Sequence, residues 1–267
     1  MLTHNVTQFL RFYWGAVTKY QLHSPVIAEV AQALLDDRRW YYAFRDVENI
    51  RKQMLRSKQR LDFTDFGAGQ ASGPKPLRQV VRQSASSARQ GRRLFRLAQW
   101  VQPKAMLELG TSVGLSSLYL ALAARSARFI TLEGCAACAA IARENLESLG
   151  LQQVEVRSGE FGATLAPALA ELNPLDLAYL DGNHRRVATL AYFEQCLAVA
   201  HPRSVFVFDD VYWSAEMTAA WSEIQNHPRV TATADFFDLS LAFITPGFRE
   251  KQHFRIVPYW WKPWMFF

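Results

Sequence analysis

Two clusters of residues in this 267-residue chain have the types and spacing to do chemistry. In the first, Met106-Leu107-Glu108-Leu109-Gly110-Thr111-Ser112-Val113-Gly114-Leu115-Ser116 runs from a strand-like apolar segment through a glycine turn into a helix-like segment. That context is what gives a glycine turn weight as a ligand loop. Gly110 lets the chain turn sharply at the strand end, and Gly114 lets a helix start approach a ligand with no Cβ in the way. A dinucleotide fingerprint asks for glycines where this chain has Ser112 and Leu115, so a pyrophosphate is disfavoured. Glu133 follows about twenty residues later, where a carboxylate can accept hydrogen bonds from ribose hydroxyls. Its other reading is an acid at a helix start, but the clean strand Phe129-Ile130-Thr131-Leu132 before it and Gly134 after it favour the ribose role. Ser158-Gly159-Glu160-Phe161 closes a third strand, at a place where a polar side chain and adjacent amides can meet an adenine ring.

The second cluster is acidic. Ligands of open α/β sheets sit beyond the carboxyl ends of the strands, and there the sequence places Asp181 after the fourth strand and Asp209 with Asp210 after the fifth. Carboxylates converging at one edge repel unless something positive comes between them. A divalent cation such as Mg²⁺ or Ca²⁺, which prefers oxygen ligands, is the obvious candidate for Asp181, Asp209 and Asp210. The plainer alternative has Asp181 contacting cofactor or substrate while Asp209 or Asp210 caps the next helix. His184 could act as a general base near neutral pH, bind substrate, or cap the helix beginning near Arg185. Asp181 and His184 are thus the catalytic candidates.

These residues need a scaffold, and after Pro103 the sequence alternates short apolar runs with amphipathic helices. Strands are expected near 105–110, 128–133, 153–157, 175–181 and 204–209, with helices near 115–125, 136–149, 162–172, 186–200 and 214–226. Such alternation implies βαβ units and a parallel sheet covered on both faces. Two further strands, about 229–236 and 239–245, are joined by so short a link that they must be antiparallel. The expected fold class is α/β, a Rossmann-like seven-stranded sheet of five parallel strands plus an antiparallel terminal hairpin, flanked by helices and preceded by an N-terminal helical extension. Residues 1–83 form the extension and 84–267 the ligand-binding domain.

The segments Glu108-Leu109-Gly110-Thr111-Ser112-Val113-Gly114-Leu115-Ser116, Glu133 and Tyr179-Leu180-Asp181-Gly182-Asn183-His184 resemble the motifs of class I S-adenosylmethionine-dependent methyltransferases, in particular the catechol-type O-methyltransferases. The likeness covers roughly residues 88–246. A second resemblance, through Leu22-His23-Ser24-Pro25, Asp65-Phe66-Gly67-Ala68-Gly69 and Phe208-Asp209-Asp210-Val211-Tyr212-Trp213, is to methyltransferase-like proteins known mostly from Bacteroidetes. The first resemblance implies S-adenosyl-L-methionine as cofactor, with Glu108, Gly110, Thr111, Ser112, Gly114, Ser116, Glu133, Gly159, Glu160 and Asp181 around it. It also implies a metal between Asp181, Asp209 and Asp210 and a small-molecule acceptor methylated at oxygen. The catechol-type pattern has a Lys where this chain has His184, which puts the base in question. Methyl transfer asks mainly for alignment and exclusion of water, so these motifs do not name an acceptor.

Composition bounds the alternatives. Half the residues are hydrophobic and a fifth charged, as in a globular chain. No apolar run is long enough to span a bilayer and the N-terminus lacks a leader pattern, so a cytoplasmic location is expected. Three cysteines are too few for a disulfide framework; Cys135 and Cys138 have CxxC spacing but no second pair to complete a zinc site, and read as reduced thiols of a helix. The first 100 residues hold 17 Lys and Arg against 7 Asp and Glu, which would suit nucleic acid, an anionic membrane or an acidic partner, or simply a solvated helical face. Two competing functions follow: a nucleic-acid methyltransferase, or a non-catalytic scaffold on the same fold. Against the first, Asp181-Gly182-Asn183-His184 is not the Asn-Pro-Pro-Tyr type of loop that presents an exocyclic amine. The N-terminal segment is the expected lid, with Tyr41, Tyr42 and Phe44 facing substrate. Asp65 to Gln70 reads as a turn, a lid element or a weaker cofactor loop. The aromatic tail Val257 to Phe267 is expected to pack on the domain, on the second subunit of a homodimer, or on a membrane surface.

Overall fold

The computed structural model describes residues 2–64, 72–246 and 250–265. The Asp65 to Gln70 loop and the last two aromatic residues of the tail lie outside them.

The N-terminal region begins with helices α1 (Leu2–Gly15), α2 (Pro25–Ala31) and α3 (Tyr42–Arg56), α2 running on into a π-helical turn at Gln32–Asp36. Ser24 caps α2, accepting from the amide of Ile27, and Pro25 occupies the first turn, where its missing N–H costs nothing. In α3 the buried residues Phe44, Val47, Ile50 and Met54 recur every three or four positions and form one apolar stripe. Strands β1 (Arg60–Phe63) and β2 (Gly73–Pro76) then pair antiparallel, followed by α4 (Leu77–Ser84) and α5 (Ala88–Val101). This small sheet was not expected from sequence, because β2 is Gly-Pro-Lys-Pro, a composition tolerated only at sheet edges.

The large sheet and its flanking helices are built of β3 (Ala105–Leu109), α6 (Leu115–Ala123), β4 (Arg128–Glu133), α7 (Ala136–Ser148), β5 (Val154–Ser158), α8 (Phe161–Glu171), β6 (Leu175–Leu180), α9 (Arg186–Ala198), β7 (Ala200–Phe208), α10 (Ala215–Asn226), β8 (Ala232–Asp235) and β9 (Ser240–Phe243). The sheet order is β10-β8-β9-β7-β6-β3-β4-β5, with β10 at Gln252–Arg255. β3 to β7 are mutually parallel, and β9 runs antiparallel to both β7 and β8, as the short link between them requires. The expected seven strands are present, and β10 adds an eighth, parallel to β8. Its alternating half-buried and exposed residues, Gln-His-Phe-Arg, carry too weak an apolar signal to mark an edge strand.

Period-two alternation divides the core. Met106, Phe129, Leu177, Tyr179, Val205 and Val207 face one side with residues of α2 to α7, whereas Leu107, Leu109, Ile130, Ala178, Leu180 and Phe206 face α8, α9 and α10. The N-terminal helices therefore share one core with the sheet. Phe44 is fully buried against Tyr41, Phe95 and Tyr119, and Tyr42 points to solvent, so none of the three aromatics expected to face substrate does so. Part of the basic charge is engaged locally: Arg92 and Arg96 lie over the Phe44 ring, and Arg51 pairs with Glu48. The tail packs on the chain's own N-terminal segment. Val17 bridges Ile256, the Tyr13 hydroxyl donates to the Trp261 carbonyl at 2.7 Å, and Lys262 Nζ donates to the Ala16 carbonyl at 2.7 Å. No helix among the described residues is long and apolar enough to cross a membrane.

Candidate functional site

The carboxyl ends of β3, β4, β6 and β7 open onto a cavity of about 710 Å³, within the usual range for a small-molecule site. Its wall is built where the backbone is least ordinary. The described chain has six non-glycine residues with positive φ, and four of them, Ser112 (49°), Asn183 (69°), His184 (29°) and Asp210 (51°), line this cavity. Such conformations cost free energy and concentrate where side chains must be aimed at a ligand.

Gly110, with φ of 98°, turns the chain off β3. A Cβ there would fall 2.2 Å from the carbonyl oxygen of Asp181, so its smallness is demanded first by the neighbouring strand end. Gly114 is likewise left-handed, and its missing Cβ admits Ala142 of α7 at 3.1 Å, which corrects the expectation that a ligand sets its size. The turn brings the Ser112 amide to Glu133 Oε2 at 2.6 Å, while the Cys135 amide donates to Oε1 at 2.8 Å. Glu133 is thus fixed by two backbone donors with its carboxylate on the cavity wall. Burial lifts its pKa to about 7, against which the two amides work.

The acidic cluster is held by neutral donors. Asp209 Oδ2 accepts from Tyr179 Oη at 2.8 Å and from Gln90 Nε2 at 2.7 Å, and its Oδ1 accepts from the Asp210 amide at 2.8 Å. Tyr179 Oη also lies 3.1 Å from Asp181 Oδ2, and His184 Nε2 lies 3.8 Å from Asp181 Oδ1. A phenol has one proton to give. It hydrogen-bonds fully to both acids when one carboxyl is protonated and donates back to the phenol oxygen. Burial and mutual repulsion push in that direction, lifting Asp181 well above the carboxylate range and Asp209 to about 6.

Of the residues expected around a cofactor, Gly110, Ser112, Glu133, Glu160 and Asp181 line the cavity, together with His184, Asp209 and Asp210. Glu108, Thr111, Gly114, Ser116 and Gly159 do not. Glu108 is fully buried beneath the turn, accepting from Ser117 and Thr131, and Thr111 shares a hydroxyl contact with Thr131 at 2.5 Å. They brace the loop from below. The wall also contains Ser86, Gln90, Tyr192, Trp213 and Asp238, none of which was singled out for the site from sequence. Gln90 reaches the cluster across 119 residues of sequence, a separation no local pattern encodes. Trp213 lies in the Asp209-Asp210-Val211-Tyr212-Trp213 segment, so its place after the fifth strand was the one available signal.

A family described as a methyltransferase domain matches residues 107–211, which hold the glycine turn, Glu133 and the acidic cluster. Catechol O-methyltransferase of Mycobacterium tuberculosis is 35% identical over 164 residues, covering 56% of this chain and 73% of that protein. Catechol O-methyltransferase of Niastella koreensis is 36% identical over 129 residues, covering 47% of this chain and 57% of that one. The crystallised O-methyltransferase from Bacillus cereus, in complex with SAH, superposes with a TM-score of 0.54 at 21% identity, covering 78% of this chain and 93% of that chain, and shares the fold. The chain belongs to the class I S-adenosylmethionine-dependent methyltransferases, in the catechol O-methyltransferase-like family.

Proposed function

We propose that this chain methylates an oxygen of a small-molecule acceptor with S-adenosylmethionine as donor. The observation that carries the reading is one cavity whose wall joins Ser112 and the amide-fixed Glu133 on one side to Asp181, His184 and Trp213 on the other. The residues fit the cofactor: Glu133 has a half-buried carboxylate aimed where ribose hydroxyls can donate, and the turn at Gly110 leaves backbone beside it. When bound, the cofactor supplies an electrophilic sulfonium methyl. His184 is the residue placed to take the acceptor's proton, with Asp181 Oδ1 3.8 Å from its Nε2 and the charge of the acidic cluster, Asp209 included, offsetting the charge the ring gains. Trp213, 38% exposed, gives an aromatic wall against which an acceptor ring can lie.

The cavity wall bears the carboxylates Glu133, Glu160, Asp181, Asp209, Asp210 and Asp238, and among the described residues no Lys or Arg. This in a chain of net charge +6 favours an uncharged or cationic acceptor and disfavours a nucleic-acid phosphate. The acids as arranged do not fit a divalent ion. Asp209 already accepts three protein hydrogen bonds, and among the described residues no group of three or more His, Cys, Asp or Glu side chains is placed to hold a metal. Tyr179 and Gln90, helped by raised carboxyl pKa values, relieve the repulsion for which the sequence invited a cation.

Calorimetric titration with S-adenosylmethionine is expected to show one site per chain, and absence of binding removes the proposal. With an acceptor in hand, His184→Gln is expected to lower kcat about 10²–10⁴-fold with little effect on cofactor affinity. An unchanged kcat would remove His184 as the base.

A further inference from the structure

Cys135 and Cys138 take no part in the chemistry described above, yet they sit beside it. Cys135 is the N-cap of α7, two residues after Glu133, and its sulfur accepts from the Cys138 amide at 3.4 Å. The Cys135 thiol in turn donates to the Asp62 carbonyl of β1 at 3.8 Å. Cys138, one turn further along, forms part of the cavity wall. Both residues are otherwise buried, at 1% exposure, so a small molecule in the cavity meets Cys138 first, with Cys135 directly behind it.

Cap and third helical residue lie on one side of a helix turn, and because a disulfide needs Cβ atoms about 3.5–4.5 Å apart, closing the bond draws the non-helical cap residue in toward the helix. Backbone donors at a helix N-terminus stabilise a thiolate at the cap. In keeping with this, the Cys135 thiol is pulled down to about 6, first by the Cys138 thiol that donates to it, while Cys138 is pushed up as the donor of the pair. Cys196 is buried in the opposite core layer, where loss of solvent pushes it up to about 12.

We propose that Cys135 and Cys138 form a redox-active dithiol beside the cavity, Cys138 on its wall and Cys135 behind it, that closes to an intramolecular disulfide when hydrogen peroxide enters. The Cys135 thiolate attacks the peroxide, the O–O bond breaks, and Cys135 becomes a sulfenic acid while the leaving hydroxide takes a proton to give water. The Cys138 sulfur then attacks Cys135 sulfur; the S–S bond forms, the S–O bond breaks, and hydroxide departs with the Cys138 proton as a second water. Two thiols lose two electrons in all, and the peroxide gains them. Because Glu133 is held by the Cys135 amide, the bond would fasten the turn that aims Glu133 into the cavity. The site does not depend on the methyl-transfer reading.

The test uses the full chain, reduced, desalted, exposed to hydrogen peroxide, blocked with a maleimide after unfolding, and digested for mass spectrometry. The peptide holding both cysteines is expected to be lighter by two hydrogens and unlabelled, to regain labelling after dithiothreitol, and to react at least about tenfold faster than Cys196. In Cys138→Ser the reaction is expected to stop at a dimedone-reactive sulfenic acid on Cys135. Maleimide labelling of both residues after peroxide, oxidation no faster than that of Cys196, or a Cys138→Ser variant without a sulfenic acid would each overturn the proposal.

Discussion

Replacing Gly110 by alanine is expected to damage the fold before it damages the site. A non-glycine residue at the φ of 98° found there costs about 1–3 kcal/mol in backbone strain. The added Cβ would lie 2.2 Å from the Asp181 carbonyl oxygen and 2.8 Å from its carbon, both backbone atoms that no rotamer can move aside. Relief requires the ends of β3 and β6 to separate by more than an ångström. That breaks the 2.9 Å hydrogen bond from the Asp181 amide to the Leu109 carbonyl, a further loss of about 1 kcal/mol. With the packing around the turn disturbed as well, the total is about 3–5 kcal/mol, at the damaging end for a single substitution. Gly150→Ala isolates the strain, because Gly150 is also left-handed at 66° but has nothing within 4 Å of an added Cβ; it is expected to cost about 1–2 kcal/mol. Urea unfolding of both variants without cofactor reads the difference. If Gly110→Ala falls within about 1 kcal/mol of Gly150→Ala, the steric argument is wrong and the glycine is there for the ligand alone.

Glu133→Gln is expected to weaken S-adenosylmethionine binding about 10–100-fold in calorimetry, since charge-assisted bonds to ribose become neutral ones. In the wild type, affinity should rise as the pH is raised through about 7, where Glu133 ionises, and a flat profile would argue against its ribose role. The folded-state pKa of Glu133 lies above its ordinary value, so the cofactor-free protein should lose stability from this group as the pH climbs from the carboxylate range to about 7. Tyr179→Phe removes a donor shared by two buried acids and should cost about 1–3 kcal/mol at pH 8. The cost should shrink near pH 5, below the Asp209 value of about 6, and an equal loss at both would show that the phenol does not serve the ionised acids. EDTA is expected to leave cofactor affinity and methyl transfer unchanged; inactivation reversed by added Mg²⁺ would show that the acids rearrange around an ion.

The parallel strands and the glycine turn were legible because each is a local pattern: an unbroken apolar run, a turn, then a helix. Glu133 was legible for the same reason, standing at the end of such a run. Glu108 shows the boundary of that legibility. It belongs to the same motif, but it pairs in register with Thr131 on β4 and turns under the loop, which only the sheet register reveals. Tyr179 and Gln90 were invisible as partners of Asp209, since their contacts join β6, α5 and the end of β7. β2 and β10 were missed because short, polar or proline-bearing edge strands form through pairing, not through intrinsic preference.

The joining of the two chain ends has a kinetic consequence. Tyr13 and Trp261 are separated by 248 positions, and Lys262 and Ala16 by 246, so these bonds close a loop almost as long as the polypeptide. Contacts of such separation are entropically expensive until the intervening chain is organised, which makes this clasp a late event in folding and an early one in unfolding. Clipping either end should therefore release the other, so that a protease cut near residue 258 exposes the first helix to a second cut while the sheet stays intact.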